Sequence, residues 1–487
     1  MSKLKLPKLK KIDSNKPKKP KILLLSDDLR MHSGIGTMSR EFVLATCDKY
    51  DWVQLGAAIN HPDHGKVIDC SGEAKKETGI EDAYVKVYAH NGYGDANVLG
   101  EIIMHEKPDA ILHFTDPRFW QWLYNIEHEL RQKLPLMYYN IWDDLPYPFW
   151  NEQFYESCDM IMNISRQTDN IVKNVLRKHP KPDWAVQWVP HGINEKWFHP
   201  MTELHPNWGD YQNVRKQFFA DQGEKLDFIV FWNNRNIRRK QPADVILAYK
   251  HFCDQLPEED AKRCALFMHT QVTDANGTDL KAVRDALCPD YKVIFSDQSV
   301  SQKELNYFYN IADVTINIAS NEGFGLSHAE SLMAGTPIIN NVTGGLQDGC
   351  RFEDENGDWI KFTTDFPTNH NGTYKKHARW AKPVFPSNRS CQGSPVTPYI
   401  FDDRAKIEDV AEAIKYWYDI PKDEREERGM EGHIWTCGDE SNFSARRMGR
   451  RFIECIDSCL KNWKPRKKFT MYKIGQKKKI EKSGVII

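Results

Sequence analysis

The sequence lacks any long hydrophobic run. None of its apolar stretches approaches the roughly 18 residues that a membrane-spanning helix needs. Its lysine-rich beginning also lacks the apolar core of a signal peptide. These two absences argue against a membrane-embedded or a secreted protein. We therefore expect a soluble chain with a cytoplasmic location and no transmembrane segment.

Closely spaced cysteine pairs are also missing. The eleven cysteines are scattered, and none forms a C-x-x-C pair, so we expect reduced thiols rather than disulfides or a zinc site. A spaced D-x-D carboxylate pair does not occur at a plausible strand end, because Asp143 and Asp144 are adjacent. We accordingly expect no metal and no cofactor.

Net charge is nearly absent overall, at −1, but its distribution is uneven. Residues 1–20 hold eight lysines and one aspartate, whereas residues 461–487 hold ten Lys/Arg and one glutamate. Basic tails of this kind suit a polyanion, either nucleic acid or an anionic membrane surface. Solvated ends without any partner are an equally good interpretation.

Strand and helix patterns alternate along two separate stretches. Buried strands are predicted from Lys21–Leu25 to Ala185–Val189, and again from Phe228–Phe231 to Pro337–Asn340. The predicted fold class is α/β, with two Rossmann-like, doubly wound parallel-sheet domains facing across a cleft. The predicted divisions are a basic tail (1–20), an N-terminal acceptor domain (21–194), a C-terminal donor domain (195–440) with an insertion at about 350–400, a helix (441–460) that could return to the first domain, and a basic tail (461–487).

The segment NEGFGLSHAESLMAG, residues 321–335, is the most informative one. Glu322 and Glu330 lie eight residues apart around a glycine turn between the predicted strand Val314–Ile318 and a helix beginning near Ser327. Such a turn presents free N–H groups at a helix N-terminus, which suits a phosphate, and two carboxylates suit sugar hydroxyls. A capping box, in which Glu330 only terminates the helix beyond Ser327, is the simpler alternative.

Four cations occur within six residues after the predicted strand Phe228–Phe231, from Arg235 to Lys240. Ligands of open parallel sheets bind beyond the carboxyl ends of the strands. Arginine offers a planar fork and lysine a point charge, and both stabilise a departing diphosphate. A solvated basic helix start is the alternative.

These motifs resemble those of retaining glycosyltransferases of the GT-B fold, the group 1 (glycogen-synthase-like) superfamily. The E-x7-E element in EGFGLSHAESLMAGTPII matches, as does the Arg-x4-Lys pair of Arg235 and Lys240. Val189–Asn194 matches the family's interdomain hinge phrase, and Ser33–Gly36 matches its N-terminal glycine loop. The resemblance covers roughly residues 21–460.

The resemblance implies a metal-independent transfer from a nucleotide sugar, commonly a UDP-sugar, with retention at the anomeric carbon. It implies that Arg235 and Lys240 bind the diphosphate, that Glu330 holds the ribose, and that Glu322 faces the donor sugar. The remaining donor-binding positions implied are Gly34, Ile35, Gly36, Gly323, Phe324, Gly325 and Leu326.

The family's catalytic-side histidine has no direct counterpart. In the phrase His113-Phe-Thr-Asp-Pro117, Thr115 occupies that position, and Asp116 could substitute as a catalytic residue. His113 stays an acceptor-side candidate, with an ordinary buried strand histidine as the alternative. Further acceptor-side candidates are Trp142, Asp143 and Asp144.

The predicted acceptor domain is unusually aromatic. Aromatic rings stack on sugars or on unstacked bases, although they also fill ordinary cores. The residues concerned are Phe119, Trp120, Trp122, Tyr138, Tyr139, Trp142, Tyr147, Phe149 and Trp150.

The acceptor itself is the least determined part of the sequence hypothesis. The overall style, including residues 394–403, resembles glycosyltransferases of large bacteriophages. We therefore expect a hexosyl- or pentosyltransferase acting on a hydroxymethylated pyrimidine such as hydroxymethylcytosine in phage DNA, flipped from the duplex, in the host cytoplasm. Two alternatives stay open: transfer to a surface polysaccharide, lipid or protein, and a non-catalytic protein that binds a nucleotide sugar or DNA.

Overall fold

The computed structural model describes residues 18–222 and 225–467, and its first domain is built on an eight-stranded sheet. The strand order is β3-β4-β2-β1-β5-β6-β7-β8, with only β3 antiparallel to its neighbour. The strands are β1 (Lys21–Asp27), β2 (Asp51–Ala58), β3 (Val67–Asp69), β4 (Val85–Asn91), β5 (Ala110–Phe114), β6 (Leu136–Asn140), β7 (Met160–Asn163) and β8 (Val186–Trp188).

A second domain contains six parallel strands in the order β11-β10-β9-β12-β13-β14. They are β9 (Phe228–Asn233), β10 (Cys264–His269), β11 (Val293–Ser296), β12 (Val314–Asn317), β13 (Ile338–Asn341) and β14 (Ala381–Val384). The predicted α/β class with two doubly wound parallel sheets is thereby confirmed.

Helices cover both sheets, which explains the continuous apolar character of the strands. In the first domain they are α1 (Gly34–Thr46), α2 (Ser71–Thr78), α3 (Ala96–Glu106), α4 (Gln121–Asn125), α5 (Glu127–Leu130), α6 (Glu152–Glu156) and α7 (Arg166–Val175). In the second they are α8 (Trp208–Gln222), α9 (Pro242–Cys253), α10 (Glu258–Ala261), α11 (Leu280–Leu287), α12 (Gln302–Ile311), α13 (Leu326–Met333), α14 (Leu346–Cys350), α15 (Ile407–Asp419) and α16 (Lys422–Cys437).

The last helix, α17 (Ala445–Asn462), packs on the first domain although it follows the second. Phe452 stacks on Phe42 of α1 with ring centroids 4.5 Å apart, and the Tyr50 hydroxyl donates to Asp457 at 2.7 Å. Where the chain crosses between domains, Gly192 lies so close that a Cβ there would be 2.6 Å from the Ala445 Cα. The two crossings therefore run side by side.

The insertion in the second domain ends in an antiparallel hairpin of β15 (Pro386–Ser394) and β16 (Thr397–Ala405). This hairpin reaches the first domain. The Tyr399 ring lies 4.2 Å from that of Trp150, and the Phe401 N–H donates to the Leu145 carbonyl at 2.7 Å. The two domains are thus joined by contacts as well as by the chain.

Two expectations from the sequence, the basic tails and the lack of a membrane-spanning helix, can be compared with the structure only over the described residues. Most of the two basic tails, residues 1–17 and 468–487, lies outside the described residues. Among the helices of the described part of the chain, none combines the length and hydropathy that a bilayer crossing requires.

Candidate functional site

A cleft of about 850 Å³ separates the two sheets at the carboxyl ends of their strands. It is lined by segments that follow β1, β5, β6, β9 and β12, and by the N-termini of α1 and α13. Because polar side chains and free N–H groups converge there, this is where an open parallel sheet binds a ligand.

The N-terminus of α1 forms one wall. The Gly36 N–H donates to the Ser33 hydroxyl at 3.0 Å, and that hydroxyl donates to Asp27 at 3.1 Å. Gly34 and Ile35 line the cleft, but Gly36 does not, and a Cβ on Gly36 would be 2.6 Å from the Met31 carbonyl. Gly36 therefore permits the fold of the loop, which corrects its predicted donor contact.

The N-terminus of α13 forms the facing wall. Gly325 has φ +87°, a conformation that glycine adopts readily, and a Cβ there would lie 2.6 Å from Leu346 Cδ2. No side chain caps this helix. Gly323, Phe324 and Leu326 also line the cleft, so the uncapped N–H groups of the first turn are available to an anion.

Glu330 does not form the capping box that the sequence allowed. Its carboxylate instead accepts from the Tyr309 hydroxyl at 2.7 Å and from Asn233 Nδ2 at 3.5 Å. Burial raises the pKa of Glu330 to about 7, and the Tyr309 hydrogen bond opposes that rise. The group is therefore a partly buried carboxyl at the cleft wall whose pKa lies near neutrality.

Glu322 lies at the centre of a cluster of charged side chains in the cleft. It is ion-paired with the Lys240 ammonium, and Arg239 Nη1 lies 3.2 Å from its Oε2. Burial alone would raise its pKa, but the two cations prevail and lower it to about 2. Burial lowers the pKa of Lys240, against the attraction of Glu322. A fixed anion and two fixed cations thus face the same space.

Arg239 is a residue that motif matching passed over. Its guanidinium donates to the Asn321 carbonyl at 2.8 Å and contacts Glu322. Arg235, the arginine of the matching motif, also lines the cleft, but its Nε donates to Asp274 at 2.9 Å and its side chain is 61% exposed. Only the basic character of residues 235–240 signalled that Arg239 could take part.

Asp143 and Asp144 occupy the first-domain side of this cluster. Burial raises the pKa of both carboxyl groups, with each interacting with the other, while Arg239 opposes the rise. Asp143 lines the cleft, and so does Trp142, whose indole N–H donates to the Asp144 carbonyl at 2.6 Å. The structure therefore brings these acceptor-side candidates to the charge cluster.

Asp116 lies at another part of the cleft wall. Its carboxylate accepts from the Arg118 backbone N–H at 3.0 Å and from Arg118 Nε at 2.8 Å. The Arg118 guanidinium lies 5.6 Å from the Trp142 ring centroid and donates to the Val396 carbonyl of the hairpin at 3.1 Å. Asp116 is thus committed to holding Arg118, which links the cleft wall to the hairpin.

His113 is not among the residues that line the cleft. It is fully buried, shares a hydrogen bond of 2.9 Å with the Tyr124 hydroxyl and stacks on Tyr138 at 5.1 Å. Burial lowers its pKa to about 3, so it is neutral at physiological pH. The acceptor-side prediction for His113 is wrong, because its strand position points into the core.

His191 lines the cleft instead, with Nδ1 2.8 Å from the Tyr139 hydroxyl.

Part of the aromatic cluster fills the core. Trp120, Tyr138 and Tyr139 are buried. Phe119 and Phe149 remain exposed, by 55% and 41%, and the Phe119 ring stacks parallel to Tyr93 at 5.0 Å. The remaining members, Trp122, Trp142, Tyr147 and Trp150, are partly exposed, and of these Trp142 lines the cleft.

Within residues 18–222 and 225–467, no group of three or more His, Cys, Asp or Glu side chains is arranged to hold a metal ion.

Comparisons with known proteins agree with this geometry. Residues 214–364 match the family model described as glycosyl transferases group 1. An uncharacterized glycosyltransferase of Methanocaldococcus jannaschii is 26% identical over 210 residues, which cover 42% of this chain and 47% of the relative. The alpha-monoglucosyldiacylglycerol synthase of Acholeplasma laidlawii is 27% identical over 194 residues, covering 39% and 43%. The chain thus matches about half the length of these curated relatives.

Solved structures cover more of the chain. Anabaena HepE, in complex with UDP and glucose, aligns with a TM-score of 0.59 and 11% identity over 90% of this chain and all of its own. The sucrose-phosphate synthase of Thermosynechococcus elongatus aligns with a TM-score of 0.60 and 14% identity over 91% of this chain and all of its own. The chain therefore has the GT-B fold, and its segment 214–364 is similar to the group 1 glycosyl transferases.

Proposed function

We propose that this protein is a retaining, metal-independent glycosyltransferase that moves a hexosyl or pentosyl group from a UDP-sugar to an acceptor hydroxyl. The observation that carries the proposal is the cluster of Glu322, Lys240 and Arg239 between two helix N-termini. Fixed cations and N–H groups at one point stabilise a departing diphosphate without a metal.

The donor would lie along the second-domain wall. The diphosphate would contact Lys240, Arg239 and the N-termini of α1 and α13, since all of these line the cleft. Arg235 would exchange Asp274 for a phosphate oxygen, because its side chain is largely exposed and bound by one ion pair. Glu330 would accept from the two ribose hydroxyls. The HepE structure, which holds UDP and glucose, supports the choice of UDP.

Transfer with retention needs no protein nucleophile in this arrangement. The bond between the anomeric carbon and the diphosphate oxygen breaks, and the acceptor oxygen bonds to the same face of that carbon. The acceptor proton passes to the departing phosphate oxygen. Glu322, which is ionised and contacts both cations, would stabilise positive charge developing on the sugar ring, and the Asp143–Asp144 pair lies on the first-domain side of the same cluster.

For the acceptor we propose a hydroxymethylated pyrimidine in DNA. The basic tails of the sequence and the exposed rings of Phe119 and Phe149 support it, because phosphate contacts and base stacking are what DNA binding uses. A lipid acceptor is the second candidate, since the chain is 27% identical over 194 residues to an enzyme named for a diacylglycerol product.

Donor hydrolysis tests the donor site separately from the acceptor. Wild-type protein should slowly release UDP from one member of a UDP-sugar panel. Arg235→Ala and Lys240→Ala should each lower that rate at least about 100-fold, the scale of one lost transition-state charge contact. Arg446→Ala, an exposed arginine on α17, is the matched control. Normal rates in both cleft variants would overturn the assignment of the site.

Acceptor identity is tested by sugar transfer to DNA with and without hydroxymethylcytosine, compared with diacylglycerol in anionic vesicles. We expect transfer only to the modified DNA, with binding that weakens as salt rises. Equal reaction with both DNAs would remove the pyrimidine proposal, and transfer to the vesicles would establish the lipid candidate.

A further inference from the structure

A second cavity, of about 400 Å³, lies at the opposite end of the second domain. Its walls include the segments that precede β12 and β13, at Ala312–Asp313 and Ala334–Pro337. The cleft described above uses the carboxyl ends of the strands, whereas this cavity is at their amino ends. The two sites are therefore separated by the length of the sheet, and the cavity has no part in the proposed transfer.

Arg425 forms the floor of this cavity. It is only 6% exposed, and its guanidinium donates to Asp313 at 2.7 Å and to the Ile420 carbonyl at 2.5 Å. Its Nε is buried without any hydrogen-bond partner. Asp313 also accepts from the Ile229 N–H at 2.8 Å. Both oxygens of the Asp313 carboxylate are thus engaged, while Arg425 keeps one buried N–H without a partner beside the cavity.

Two further cations stand on the walls. The Arg215 guanidinium lies 5.0 Å from the Phe219 ring centroid, and no carboxylate of the described residues forms an ion pair with it. Lys422 has only a loose contact with Glu426, at 3.9 Å. With Asp313 engaged by Arg425, Glu426 is the remaining acid, and it is exposed at the mouth. The cavity is therefore electropositive on balance, which suits an anion.

The other side of the cavity is apolar and aromatic. The rings of Trp208 and Tyr211 lie 5.5 Å apart at 45°, beside Met201 and Met430. The Tyr211 hydroxyl is already used, since it donates to the Asn310 carbonyl at 2.9 Å. A ligand would thus meet ring faces and thioethers here, and these contact flat apolar groups well.

We propose that this cavity binds a small organic phosphate, with its phosphate on Arg215, Lys422 and Arg425 and its apolar ring against Trp208 and Tyr211. A phosphate monoester has the oxygens that a guanidinium fork recognises, and the volume admits a ring beside them. This site is independent of the proposed transferase activity.

The test is isothermal titration with phenyl phosphate in the presence of saturating UDP, which keeps the probe out of the cleft. We expect saturable binding to one site. Arg215→Gln combined with Lys422→Gln should weaken it at least about 10-fold, because hydrogen bonds to charged groups are lost. Arg446→Gln should leave it unchanged, since that exposed arginine is outside the cavity.

Three results would overturn the proposal: no saturable binding to the wild-type protein, equal affinity in the double variant, or equal affinity for the neutral analogue benzyl alcohol. Both substituted side chains lie outside the buried core, and unfolding curves of the double variant should superimpose on those of the wild type. Tighter binding of inorganic phosphate than of phenyl phosphate would likewise remove the aromatic part of the site. Because hydrolysis of the UDP-sugar is not the readout, failure here leaves the transferase proposal untouched.

Discussion

At the scale of single residues, Glu330 is a carboxylate held near its titration midpoint. Burial raises its pKa to about 7, so it gains a proton as the pH falls from 8 to 6. A protonated carboxyl accepts ribose hydroxyls more weakly than a carboxylate does. We expect the Kd for UDP to rise as the pH falls through 7, measured by titration calorimetry.

The Glu330→Gln variant supplies the control for this pH dependence. The glutamine side chain cannot ionise, so the variant should bind UDP weakly, with a Kd that does not change between pH 6 and 8. A wild-type profile that is equally flat would show that Glu330 does not contact the ribose.

Arg239 is the second residue whose role can be measured. Removing it leaves Glu322 with Lys240 alone and raises the pKa of Glu322, because one of the two cations that lower it is gone. We expect Arg239→Ala to reduce kcat/KM for donor hydrolysis about 100-fold. Arg238→Ala is the matched neighbour: it is exposed and does not line the cleft, so its rate should stay close to wild type. Equal rates in the two variants would exclude a role for Arg239.

The chemical types of these residues could be predicted from the sequence, but their partners could not. Glu322 was identified from its spacing to Glu330, and Lys240 from the basic run and the family's Arg-x4-Lys pair. Whether Glu330 capped its own helix depended on Tyr309, which lies 21 positions earlier on another helix. Similarly, the sequence allowed His113 as an acceptor-side candidate, and only the packing of Tyr124 and Tyr138 around it shows that it belongs to the core. The partners and burial of such side chains depend on packing between distant segments, which the local sequence pattern does not predict.

At the scale of secondary-structure elements, the N-terminus of α1 contains two glycines in different surroundings: Gly36 packs against backbone, and Gly34 lines the cleft. A Cβ on Gly36 would meet two backbone carbonyls, at 2.6 and 2.8 Å, whereas a Cβ on Gly34 would meet only Leu326 Cδ1 at 3.7 Å. We expect Gly36→Ala to lower the free energy of unfolding by about 1–3 kcal/mol, as overpacking does.

Gly34→Ala should leave stability within about 0.5 kcal/mol of wild type but weaken UDP binding, because the new methyl group enters the cleft. Urea denaturation and UDP titration of both variants check the pair. If Gly34→Ala lowered the free energy of unfolding and Gly36→Ala left it unchanged, the structural role would belong to Gly34 and not to Gly36.

Elements with a clear apolar pattern were predicted, and those without one were missed. Strand β12 and helix α13 were expected within one residue of their observed bounds. Helix α8 was not, because Tyr211 is its only buried residue and its sequence shows no apolar face. The hairpin β15–β16 was missed for the same reason, since most of its side chains are partly or fully exposed. Periodicity reports burial, so weakly buried elements leave little trace.

At the scale of the whole molecule, α17 fastens the end of the second domain to the first. Phe452 is fully buried against Phe42 and Tyr139. Phe452→Ala should lower the free energy of unfolding by about 3–5 kcal/mol through the lost burial and the cavity left behind. Arg450→Ala, exposed on the same helix, should change it by less than about 0.5 kcal/mol. Equal urea midpoints for both variants would show that the helix is not part of the folded core.

The hairpin has a bearing on the speed of turnover. It belongs to the second domain yet contacts the first at Arg118, Leu145 and Trp150, and the two chain crossings at Gly192 and Ala445 lie in close contact. In the proposed reaction, a parting of the lobes that releases the nucleotide would have to break these hairpin contacts. Their strength would then bear on the rate of product release rather than on the chemical step.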